Sequence, residues 1–245
     1  MKRLIGFLVC VLGAGTAAAR GPQGSEPVFL SLPRMAEAAE RFVLAGWRIE
    51  TSAAGDLDSD GGADLVLVLL ADDEPPAAAL PSGTWELDSG PRRMLAVAFA
   101  RPEGGYRLLR HTGFLPRKRP LSGASQGWML FEDGSIDASR GRLRIAFEYI
   151  RGHRTFTFRW EGDAFRLIGY DSVEVAGGCF QQLSINYLTG RSKWTAGWMD
   201  RDEELVRWSR SAPGAPLTLD QIGEGEEFEP EDLSTGFPLS CPERE

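Results

Sequence analysis

Histidine and cysteine are scarce in this chain of 245 residues, with two of the first and three of the second. The histidines, His111 and His153, fall at an expected strand end and in an expected hairpin turn, and no Gly-x-Ser-x-Gly elbow precedes a helix. The sequence therefore gives no support to a Ser-His-Asp nucleophile. After an apolar leader there is no further run long enough to span a bilayer as a helix, so no permanent membrane span is expected. Positive charge is also in deficit: 27 Lys and Arg face 35 Asp and Glu, for a formal net charge of −8. An acidic surface repels phosphate backbones, and nucleic acid is not an expected partner. The remaining composition, 42% hydrophobic and 25% charged, is that of an ordinary globular chain.

Residues 1–19 have a basic start, a short apolar middle and an Ala-x-Ala ending, the three parts of a secretory signal peptide, with cleavage expected before Arg20. Cys10 lies within the apolar middle, which argues against lipoprotein processing at that residue. The expected destination is the periplasm or the exterior. Two cysteines then remain, Cys179 and Cys241, and in an oxidising compartment an even count favours a disulfide. Such a bridge would close a loop of roughly sixty residues and contribute on the order of 3 to 4 kcal/mol in the chain-entropy picture. Two free thiols are the alternative. Residues 20–32 read as a disordered lead-in, 33–222 as the folded domain, and 223–245 as an acidic tail with a mobile surface.

One stretch carries a recognisable chemistry. Asp56, Asp58, Asp60 and Asp64 occupy positions 1, 3, 5 and 9 of a glycine-punctuated loop, and the apolar run 65–70 follows at once. Carboxylates at this spacing repel one another unless a hard cation with oxygen ligands lies between them. Gly61 permits a sharp turn, and the Gly62 carbonyl falls at position 7, where such loops contribute a main-chain oxygen. Calcium is the expected ion. Position 12, which in an EF-hand is a chelating Glu, is here Leu67 in a strand-like run. The stretch from about residue 47 to 70 instead resembles the D-x-D-x-D-G-x-x-D loop of the FG-GAP/VCBS class of integrin-propeller-like repeats. The resemblance implies a loop joining two strands, the last Asp opening the second, with Asp56, Asp58, Asp60, Asp64 and the Gly62 carbonyl around calcium. With every ligand drawn from one loop and no His or Glu beside it as a base, the ion is expected to be structural.

The rest reads as mainly β, an antiparallel, sandwich-like meander with one short N-terminal helix. Residues 35–42 have helical composition and spacing. Residues 47–50 alternate as a brief strand, and 65–70 suit a central strand covered on both faces. Residues 94–100 and 106–110 flank a Gly-rich turn as a hairpin. Residues 142–170 form a three-stranded meander with an aromatic face, and slipped alternation at Leu167-Ile168 beside Gly169 predicts a β-bulge. Residues 200–210 fit helix or strand equally. The acidic run 72–74 and the proline-flanked basic run 116–120 read as solvated loops.

An aromatic row on a sheet face is first of all core. Trp194 and Trp198, in a less regular region, are the better candidates for an exposed ligand-binding pair. Glu148, Glu161, Asp171 and Glu174 lie on or near the best strands, but no spacing singles out two of them as a glycosidase pair. The sequence thus favours a non-catalytic binding or structural protein of the cell envelope that contacts carbohydrate or another envelope protein. The alternative is a carbohydrate-active hydrolase using paired carboxylates.

Overall fold

A computed structural model describes residues 31–72, 91–115, 135–149, 151–212, 215–223, 225 and 228–230. The leader, the rest of the acidic run beyond Asp72, the basic run at 116–120 and Cys241 lie outside these residues. Within them the chain is mainly β, in two antiparallel sheets. The five-stranded sheet has the order β1-β5-β4-β3-β2, from β1 (Met35–Ala36), β2 (Trp47–Gly55), β3 (Asp64–Ala71), β4 (Arg93–Ala100) and β5 (Tyr106–Thr112). The seven-stranded sheet runs in sequence order through β6 (Ile136–Ser139), β7 (Arg142–Tyr149), β8 (Gly152–Glu161), β9 (Ala164–Ala176), β10 (Cys179–Asn186), β11 (Arg191–Trp198) and β12 (Glu204–Arg210).

One hydrophobic core joins both sheets. Val66, Val68, Leu95, Val97 and Phe99 come from the smaller sheet; Leu143, Ile145, Phe147, Phe156, Phe158, Leu167, Leu183 and Ile185 come from the larger. The contact across the layers is aromatic: Phe99 meets Trp160 edge-on at 5.1 Å between ring centroids, and Phe165 at 6.4 Å. Phe114, just beyond β5, meets Phe156 of β8 edge-on at 5.1 Å, and within the meander Tyr170 meets Phe156 at 5.2 Å. Edge-on pairs set the positive rim of one ring against the negative face of the next, a gain beyond area burial. The aromatic row is core. All eight residues of β3 are buried, Asp64 at its start and then a run of aliphatics without a polar face.

Three ladders shift register, β2–β3, β4–β5 and β8–β9. Thr157 pairs with Gly169 and Phe158 with Leu167, so Ile168 is the extra residue on β9, where the alternation slips. In β2, Ile49 pairs with Leu69 and Thr51 with Val68, leaving Glu50 unpaired in the ladder. The bulge re-aims Glu50, whose carboxylate accepts from Arg93 Nε at 2.6 Å and Nη2 at 2.9 Å, a bidentate clamp from β2 to β4.

Three expectations are corrected. The N-terminal helix shrinks to β1 and a single 3₁₀ turn, Ala39–Phe42, whose N-cap residue Ala38 has no side-chain cap to hold a longer helix. The only α-helix among the described residues is one turn near the C-terminus, α1 (Leu219–Ile222), closed by a Thr218/Gln221 capping box. The region around Trp194 and Trp198 is regular, because β10 and β11 pair through eight residues. The acidic segment after residue 223 is not simply a mobile surface: Phe228 is buried against Phe156 and Tyr170, and Arg154 donates to its carbonyl oxygen.

Candidate metal centre

The aspartate loop is the connection of the β2–β3 hairpin, whose last pair is Gly55 with Asp64. Strand β2 and the buried β3 fix both ends, and the eight residues between them turn through Ser59 (φ 69°) and Gly61 (φ 88°). Asp64 opens β3, fully buried. Leu57, the second residue of the motif, points the other way from its acidic neighbours and enters the shared core at 2% exposure. It anchors the loop from below while Asp56, Asp58 and Asp60 stay at or near the surface.

Backbone amides shape the acids. Asp56 Oδ1 accepts from the Ser59 N–H at 2.7 Å and Oδ2 from the Gly61 N–H at 3.1 Å. Asp58 Oδ1 accepts from the Asp60 N–H, and Asp60 Oδ1 from the Gly62 N–H at 2.7 Å. Asp64 does something different. Its Oδ2 accepts from the Leu57 N–H at 2.8 Å and its Oδ1 from the Ala100 N–H at 2.9 Å, so one carboxylate joins the start of the loop to the end of β4. A side chain at Gly62 would press on Ala100 Cβ and Asp60 Oδ1, both 2.9 Å from an ideal Cβ. Glycine is needed there for space.

Asp56, Asp58 and Asp64 each present a carboxylate oxygen within 4.8 Å of the other two, close enough to hold a metal ion between them. All three donors are hard, anionic oxygens, which fits a hard divalent cation and not a soft one. Asp60 stands beside Asp58 but outside this triad. Burial raises the Asp58 carboxyl above the ordinary carboxylate range, and its neighbours Asp60 and Asp56 add to the effect, against the Asp60 N–H bond that lowers it. Burial likewise raises Asp64, against the Ala100 and Leu57 amides that lower it, with Asp58 and Asp60 pushing upward. A cation beside these carboxylates would favour their ionised forms and so oppose both shifts.

The loop also lies at the seam between the sheets. A Cβ at Gly55 would overlap the Ala138 carbonyl oxygen of β6, so β2 can approach that strand closely only as glycine. Ser59 Oγ lies near Gly141 in the Arg140-Gly141 turn between β6 and β7, where both residues have positive φ, 55° and 67°.

No family model, no curated protein and no solved structure matches the chain. What can be said of the site therefore rests on its own geometry.

The other expected positions are less concentrated. Trp194 is 3% exposed on the face of β11 that carries Ser192 and Ala196, and Trp198 is half-buried opposite Cys179. Trp194 is thus not part of an exposed pair; strand pairing on both sides of β11 turns it inward. Cys179 is buried at the start of β10, while Cys241 lies outside the described residues. Of the carboxylates on the best strands, Glu161 pairs with Arg159 and Arg166, and Glu174 with Arg154. Glu148 is exposed opposite His153. Leu57 and the Ala100 amide escaped sequence reasoning. The one available signal was an apolar residue inside an otherwise polar loop.

Proposed function

We propose that this is an exported β-sandwich protein with a non-catalytic binding or structural role in the cell envelope, braced by a calcium ion in the loop 56–64. The observation that carries the metal reading is the convergence of Asp56, Asp58 and Asp64 oxygens within 4.8 Å. Asp60 and the Gly62 carbonyl would complete the oxygen set implied by the FG-GAP/VCBS resemblance, which the hairpin context of the loop supports. Bound there, calcium supplies charge neutralisation and a cross-link, holding the β2–β3 hairpin at the seam with β6. The Asp64 amide bonds and the Leu57 anchor favour bracing over chemistry, since both tie the site to the scaffold.

Calcium at millimolar concentration should raise the melting temperature of the mature chain by about 2 to 4 °C, given the ~10⁻⁴ to 10⁻³ M affinities of extracellular sites. Asp58→Ala should abolish that shift and Asp73→Ala should leave it intact. Identical melts in chelator and in calcium would sink the reading. Export and a Cys179–Cys241 disulfide belong to the same proposal. The intact mass of the secreted protein should begin at Arg20 and rise by two hydrogens on reduction.

A further inference from the structure

β12 is the edge strand farthest from β6 in the seven-stranded sheet, and all seven of its residues are exposed. Arg191 faces Arg210 and Lys193 faces Trp208 across the β11–β12 ladder, so these four side chains share the outer face of the sheet. Trp208 lies at the centre of the group. The Arg191 guanidinium carbon is 5.0 Å from its ring centroid and the Lys193 Nζ is 6.0 Å away, yet the residue is still 60% exposed. Among the described residues, none of the three cations is joined to a carboxylate by an ion pair. In a chain of net charge −8, an accessible indole with two positive side chains against it and a third, Arg210, on the same face is a local inversion of sign.

A purely apolar partner would bury these charges without compensation, which is costly. A polyanion without flat apolar faces would leave the indole unused. The chemistry that satisfies both features is a sugar ring bearing a carboxylate: its C–H face covers the indole while arginine takes the carboxylate through paired N–H bonds. We propose that the Arg191, Lys193, Trp208 and Arg210 face binds an acidic, uronate-bearing polysaccharide. The chain's net negative charge does not forbid this, because beyond a Debye length of about 8 Å at physiological salt the nearby cations outweigh distant acids. The site stands independently of the calcium loop, six strand positions away from β6.

Affinity electrophoresis of the full mature chain through gels containing polygalacturonate, neutral dextran or polyglutamate tests the proposal. Polygalacturonate should retard the protein and dextran should not. Trp208→Ala should weaken binding about tenfold, the size of a lost stacking and cation–π contact, with Trp208→Phe recovering part of it. Arg191→Gln with Lys193→Gln should weaken it further and flatten its salt dependence. Unchanged circular dichroism in each variant separates lost binding from lost fold. Binding should persist in chelator and in Asp58→Ala, so failure of the calcium reading would leave this outcome unaffected. Equal retardation by polyglutamate, or retention that survives Trp208→Ala, would reduce the patch to an ion exchanger and overturn the proposal. So would a β12-mediated dimer, seen by light scattering, that Trp208→Ala dissociates.

Discussion

The two ends of the seven-stranded sheet handle the same hazard in opposite ways. At one end β6 lies against β2 so closely that a glycine is required, and the acidic loop sits over the join. At the other end β12 has one neighbour among the described residues and exposes Leu205, Val206 and Trp208. An unpaired edge invites association with another chain. The first end removes the invitation by contact between backbones; the second guards itself with Arg207 and Arg210 and leaves an aromatic surface accessible. Acid and burial mark the closed end, cations and exposure the open one. Closure and accessibility thereby fall to opposite edges of one sheet.

That contrast can be tested by substitution at each end. Leu57→Ala should have the largest effect, a loss of about 2 to 5 kcal/mol in urea denaturation, because it empties a core site under the closed end. Gly55→Ala should follow, at about 1 to 3 kcal/mol, since the added methyl meets the Ala138 carbonyl and not a movable side chain. A near-neutral result would mean that the seam is loose and the contrast false. A gentler effect should appear with pH. Asp58 titrates above its ordinary value of 3.8 in the folded chain, so its ionisation opposes folding. In chelator, wild type should therefore lose stability relative to Asp58→Asn as pH rises from about 4 through the raised folded value, and calcium should cancel the trend. At the open end Leu205→Ala should change stability by no more than about 0.5 kcal/mol, the ordinary surface response.

Legibility in the sequence followed the same division. Around the closed end the text was explicit: four aspartates at fixed spacing, then a strand of aliphatics, gave the hairpin and the loop together. The β-bulge at Ile168 was readable because a period of two leaves no room for an extra residue without slipping the pattern. The regularity of β10 and β11 was harder to read, since Thr195 and Gly197 are buried without looking apolar and thereby blur the alternation. Trp194 looked available for the same reason; the inward face of its strand was hidden by its polar neighbours. Phe228 was masked by the acids around it, and its pairing with rings from β8 and β9 depends on contacts more than fifty residues away in the chain. The role of Asp64 was only half visible: its place in the motif could be read, its bond to the Ala100 amide could not.

That bond carries a consequence of its own. Because Asp64 fastens Leu57 and Ala100 through the peptide's own amides, one side chain ties the first turn of the loop to the far end of β4. A change at that single carboxylate is therefore felt on both flanks of β3, in the acidic loop on one side and at the turn beyond Ala100 on the other.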